Sequence, residues 1–173
     1  MHFFLYIYYI INTNIYKMKR ILILVVTLIS FSAVNSQTSV IKANPLGLAV
    51  GVANAGYEFT MGEKNSLTVL GTYYKVSDIS GIGAAAEYRW YFGEEVLKGW
   101  HAGPTVGFFS LKDNANTKVT VFTFGGEAGH QWIFDNNFVV DVFAGLGYVT
   151  GGDKLAGLNA TAISLGVSLG YAW

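Results

Sequence analysis

From Ala162 to the end of the chain, bulky and small side chains alternate without interruption. Ile163, Leu165, Val167, Leu169, Tyr171 and Trp173 share one parity, and Ala162, Ser164, Gly166, Ser168, Gly170 and Ala172 share the other. Successive side chains of a β-strand point to opposite faces, so this segment is a strand with one broad apolar face and one narrow face. The period recurs upstream. Ile82, Ala84, Ala86, Tyr88, Trp90 and Phe92 oppose Gly83, Ala85, Glu87, Arg89 and Tyr91; Phe122, Phe124, Ala128, His130 and Trp132 oppose Thr123, Gly125, Glu127, Gly129 and Gln131; Val140, Val142, Ala144, Leu146 and Tyr148 oppose Asp141, Gly145 and Gly147. A helix, with 3.6 residues per turn, cannot hold such an alternation on one face. The 21 glycines disfavour helix interiors. An aromatic content of 16% favours strands.

Polar turns divide the pattern into strands at 40–51, 53–61, 66–76, 81–92, 100–110, 118–134, 138–149 and 160–172. Eight is an even number, as a single-chain bacterial membrane barrel requires. The chain is 52% apolar, yet its longest apolar run, Ile21–Ala33, is shorter than the ~20 residues of a helical span. The hydrophobic residues must therefore meet a core or lipid as strands.

Ahead of the strands, Met18-Lys19-Arg20 and the apolar stretch Ile21–Phe31 form the charged and hydrophobic regions of a signal peptide. Val34 and Ser36 suit the positions before a cleavage site, which places the cut after Ser36. Residues 1–17 precede a complete leader and read either as an upstream extension, with translation starting at Met18, or as part of an extended leader starting at Met1. The chain thus divides into an extension at 1–17, a signal peptide at 18–36 and one barrel domain at 37–173. Lys17, Lys19 and Arg20 are lost with the leader, leaving 8 basic and 11 acidic residues and a charge of −3. No basic patch remains for nucleic acid. The chain has no cysteine, which excludes disulfides, thiolate metal sites and a lipoprotein anchor.

Two all-β folds compete, and they differ in which face looks inward. A soluble ligand-binding barrel turns its apolar face in; a membrane barrel turns it out to lipid and fills the lumen with small and polar groups. Here the non-apolar face consists mainly of Gly, Ala, Ser and Thr, as a closed eight-stranded interior needs. Most charges fall in turns or at strand ends, and Glu58, Glu87, Arg89, Glu127 and Asp141 share the small-residue face. The even strands end in aromatics, and in a meander this gathers Trp90, Trp100, Trp132 and Trp173 on one rim. Trp and Tyr favour the membrane interface, where the ring is buried and its polar atom stays wet. The reading is an eight-stranded antiparallel up-and-down transmembrane β-barrel, exported behind a signal peptide to the outer membrane. The periplasmic soluble barrel is the rival.

The segments Ile41-Lys42-Ala43-Asn44-Pro45-Leu46-Gly47-Leu48, Ala55-Gly56-Tyr57-Glu58-Phe59, Ala86-Glu87-Tyr88-Arg89-Trp90-Tyr91-Phe92 and Gly99-Trp100-His101-Ala102-Gly103-Pro104 resemble a family of Gram-negative outer-membrane barrels of unassigned function. Residues 40–110 carry most of the likeness; the last three strands match in pattern alone. The resemblance implies a fold similar to the OmpA/OmpX type and an outer-membrane location, and no activity. A terminal aromatic also looks like the signal read by the barrel-assembly machinery, with Trp173 at that place.

The residues that bear chemistry are those of the lumen: Glu58, Glu87, Arg89, His101, Glu127 and Asp141. Buried charge must pair, bind water or protonate, and a structural ion-pair network across a narrow barrel accounts for them. The competing reading is a proton or cation path. Lys42 has the parity of Leu46, Leu48 and Val50, which would send it to lipid unless a bend or bulge at Pro45 changes the face or the residue sits in the rim at the start of the strand. His130 has the outward parity of Trp132 and lacks metal-binding partners at suitable spacing. Neither His101 nor His130 has Ser two residues on, against an acyl hydrolase. Gly125-Gly126 and Gly145-x-Gly147 precede no helix and are strand glycines, not phosphate loops. The sequence thus points to a non-enzymatic envelope barrel with a structural or interaction role and a side-chain-filled lumen, with no catalytic, cofactor or metal residue. Its partners are outer-membrane lipid and the assembly machinery; any further envelope partner is left open. A narrow solute pore and the soluble ligand-binding barrel are the alternatives.

Overall fold

The computed structural model describes residues 37–112, 118–151 and 160–173. The expected leader at 18–36 and the extension at 1–17 lie outside the described residues. The elements run β1 Ser39–Ala43, α1 Pro45–Ala49, β2 Val52–Thr60, β3 Asn65–Val76, β4 Ile79–Tyr91, β5 Gly99–Lys112, β6 Lys118–Ile133, β7 Phe138–Thr150 and β8 Ala160–Ala172. Each strand pairs antiparallel with its sequence neighbours, and β1 pairs β8, so the sheet closes into an eight-stranded barrel. Strands β2 to β8 follow the expected segments to within a few residues, because hairpins put sequence neighbours side by side and the alternation fixes which face turns in.

The stagger of the barrel follows from the ladders. Crossing from Ala43 through Ala55, Gly71, Ala84, Phe108 and Phe122 leads to Thr150 of β7. Crossing the other way from Ala43 leads through Leu169 to Val140 of the same strand. The difference, ten residues, is the shear, and closure with that stagger tilts the strands by ~40°.

The first expected strand, 40–51, is corrected: β1 stops at Ala43 and the chain turns into α1. Pro45 lacks an N–H and has φ already set for the first helical position, so it starts a helix readily. Asn44 caps it, its side-chain oxygen accepting the Gly47 N–H at 3.0 Å. The period-two parity therefore ends at Pro45, and Leu46, Leu48 and Val50 carry no information about Lys42. Lys42 lies inside the barrel, 5% exposed.

The connections at 61–64, 92–98 and 134–137, together with the chain end, lie on one rim. The hairpin at 77–78 and α1 lie toward the other. The terminal rim is closed from inside: Leu97, turned inward from the β4–β5 connection, packs with Val40, Tyr91, Val139 and Ala172. The outer surface carries Tyr57, Val69, Ile82, Val106, Phe122, Leu146 and Leu165, all exposed.

Candidate functional site in the lumen

Seven strands contribute to a buried polar cluster just inside the terminal rim. Lys42 of β1 stands 2.6 Å from Glu58 Oε2 on β2 and 3.1 Å from Asp141 Oδ2 on β7. Arg89 of β4 reaches Asp141 Oδ2 at 2.7 Å and its own strand's Glu87 at 2.6 Å, and approaches Glu58 to 3.6 Å. His101 of β5 shares its Nε2 with Asp141 Oδ1 at 3.0 Å; an ionised carboxylate only accepts, so the proton sits on Nε2. Gln131 of β6 accepts from Lys42 at 2.9 Å and donates to the Leu97 carbonyl at 2.7 Å, which ties the inward-turned connection to the cluster. Ser66 of β3 and Tyr91 of β4 both donate to Glu58 Oε1, at 2.5 and 2.7 Å.

Two fixed cations thus face three carboxylates, with His101 between Glu87 and Asp141. The sequence singled out one lumen arginine against four acids. The structure adds Lys42, which the broken parity at Pro45 had hidden, and makes Gln131 and Tyr91 ligands of the charged groups. Both lay on the inward parity, but neutral polar residues in a strand give no signal of a partner far along the chain. Glu127 stands apart: it faces the lumen farther from the terminal rim, and among the described residues it has no ion pair or hydrogen bond. The sequence grouped it with Glu58, Glu87 and Asp141; the structure brings those three together and leaves Glu127 out.

Beyond the cluster the lumen opens into a chamber of about 710 Å³. Its floor includes Lys42, Glu87, Arg89 and Thr68, and its walls include Leu70, Phe109 and Phe143. Thr68 Oγ1 and Arg89 Nε are buried there without a hydrogen-bond partner. No group of three metal-ligating side chains occurs among the described residues.

Outside, Trp90, Trp100 and Trp132 are exposed at the terminal rim, and Trp173 lies half-buried beside Tyr57 there, ring centroids 5.9 Å apart. His130 sits outside as well, between Trp132 at 4.2 Å and Trp100 at 5.0 Å. This aromatic surround accounts for an outward histidine with no ligand geometry.

No curated protein matches the chain. Among solved structures, the chain is similar to the Yersinia pestis outer membrane protein Ail in a phospholipid bilayer nanodisc. The two are 13% identical, the match covers 80% of this chain and 100% of that one, and the TM-score is 0.49. One family's sequence pattern matches residues 21–160. The chain belongs to that family, described as "Protein of unknown function (DUF3575)".

Proposed function

We propose that this chain is a small outer-membrane β-barrel that serves the envelope as a structural or interaction element, with its termini toward the periplasm and its lumen closed at that end. The carrying observation is the inversion of polarity: charged side chains fully buried within, large apolar side chains exposed without. Glu58 and Asp141 are 0% exposed, whereas Leu165 is 74% exposed. A soluble barrel with this surface would present a continuous apolar band to water, the hallmark of an interaction or membrane surface. The height fits as well. From Phe122 to Trp132 the outward face of β6 advances ten residues, and at ~3.4 Å per residue with a ~40° tilt this is about 26 Å, close to the ~25 Å apolar band of such barrels.

The closed terminal rim favours this reading over a solute pore, since Leu97 and the ion-paired cluster stand across the lumen. In this reading no residue has a catalytic role, and the partners are outer-membrane lipid and the barrel-assembly machinery. The test is fractionation of cells expressing the full chain, with electrophoresis of heated and unheated samples. An intact barrel in the outer-membrane fraction migrates differently before and after boiling. Identical migration with recovery among soluble periplasmic proteins refutes the proposal. In liposomes the barrel gives no steady unit conductance; a reproducible conductance step restores the pore.

A further inference from the structure

The barrel wall is incomplete where α1 replaces strand. The β1–β8 ladder covers only Val40–Ala43 against Leu169–Ala172. Continued as strand in that register, residues 44–51 would have matched Thr161–Ser168. That length of β8 has no strand partner on its β1 side among the described residues. At ~3.3 Å per residue the interrupted edge is roughly 26 Å long. Non-helical backbone at membrane depth persists only where protein covers it or where it lines a cavity, and here α1 leans over the gap between β2 and β8.

Cavities lie on both sides of this seam. Outside is a groove of about 490 Å³ bounded by Pro45, Leu48, Ala53, Tyr73 and Leu169; inside is the lumen chamber. Asn44, Asn54 and Thr72 line both. We propose that this seam is a lateral portal, and that an acyl chain of a membrane lipid passes beneath α1 into the lumen chamber. The inference rests on the membrane reading above.

Three observations carry it. First, α1 is held lightly. None of its residues is buried, Leu46 and Leu48 are exposed, and five residues are too few for a helix stable on its own. Among the described residues its hydrogen-bonded attachments to the barrel lie at its two ends, where the Asn44 N–H donates to Asn54 Oδ1 at 3.1 Å and the Gly51 carbonyl accepts the Lys75 N–H at 2.8 Å. Second, the chamber lies within the ~300–1,000 Å³ of small-molecule sites, and Leu70, Phe109, Phe143 and Val149 offer it apolar walls. Third, the two cations on its floor are already ion-paired, Lys42 with Glu58 and Arg89 with Glu87 and Asp141. Among the described residues the chamber therefore offers no free cation to a head-group phosphate, and the tail enters while the head stays in the groove.

The test is photo-crosslinking of the full barrel in phosphatidylcholine vesicles that contain a phosphatidylcholine with a diazirine near the end of one acyl chain. Adducts are located by mass spectrometry, and a diazirine reports contact only. Adducts are expected on outward Val106 and Leu165 and also on lumen-facing Leu70, Phe109 or Phe143. A Cβ built at Gly166 falls 2.7 Å from Asn44 Nδ2, so Asn44→Cys with Gly166→Cys bridges the seam, the Phe143 ring giving way. In this cysteine-free chain the oxidised pair should lose the lumen adducts and keep the outward ones, and reduction should restore them. As an independent variant, Asn54→Ala removes one bond holding α1 and should raise lumen labelling roughly 2- to 10-fold. Outward adducts without lumen adducts overturn the portal and leave the membrane reading intact. So do lumen adducts indifferent to the bridge, or an Asn54→Ala variant with unchanged labelling. Absence of outward adducts overturns the membrane reading and the portal with it.

Discussion

Replacing Arg89 by methionine isolates the energetic core of the lumen. The side chain keeps its length and loses its charge, its 2.7 Å contact with Asp141, its 2.6 Å contact with Glu87 and its approach to Glu58. The loss falls unevenly. Glu58 and Asp141 keep Lys42 at 2.6 and 3.1 Å. Glu87, 2% exposed, keeps, among the described residues, a single ion-pair partner, His101 Nδ1 at 3.9 Å. Truncating one partner of a buried pair costs ~3–5 kcal/mol because the other is left as an uncompensated charge. At ~1.4 kcal/mol per decade, that is roughly two to three and a half decades in the folding constant. Adding Glu87→Gln removes the stranded charge, so the double variant Arg89→Met/Glu87→Gln should recover a large part of the loss. Urea unfolding in dilauroylphosphatidylcholine vesicles, followed by tryptophan fluorescence and gel mobility, measures both. A loss below ~1 kcal/mol, the scale of a solvent-exposed pair, refutes the buried network. So does a double variant less stable than Arg89→Met alone.

Further expectations separate lipid contact from water contact and tight approach from open space. Leu165→Arg, on an outward residue 74% exposed, should cost ~2–4 kcal/mol in a bilayer, and Tyr171→Arg beside the terminal rim only ~0–1 kcal/mol; equal, negligible costs in the same unfolding assay would indicate a water-facing surface. At Gly103 an added Cβ overlaps the Tyr88 carbonyl, whereas at Gly71 it meets nothing within 4 Å. Gly103→Ala should therefore abolish the folded band on unheated gels. Gly71→Ala should leave it unchanged or gain about 0.5–1 kcal/mol from lost chain entropy. With all four tryptophans on one rim, a nitroxide near the lipid head group should quench the intrinsic fluorescence more than one at the end of the acyl chain. The reverse order would place them near the bilayer centre.

The Gly103 clash also shows where local pattern stops being informative. Between β4 and β5 the ladder omits Tyr88 and Arg89 opposite Gly103 and Pro104; Pro104 has no N–H to give and Gly103 no side chain to interpose. From sequence, these two residues were only part of a strand and of a family likeness. Their closeness to Tyr88 exists because two strands meet at one register, and no window of sequence contains both.

What the chain by itself determined was parity. Side chains of a strand alternate, so Glu58, Glu87, Arg89, His101, Glu127 and Asp141 could be assigned one face and Trp90, Trp100 and Trp132 the other from neighbours a few residues away. Hairpin order and the rim carrying the tryptophans followed from the same local information. What only the closed barrel decided was partnership. Lys42 reaches Gln131 and Asp141 across separations of 89 and 99 residues, contacts set by a ten-residue stagger that appears only when β1 meets β8. Glu127 was excluded for the same reason, being on the right face at the wrong height. At Pro45 even parity failed, because a missing N–H and a capping asparagine turned strand into helix, hid Lys42 and opened the seam.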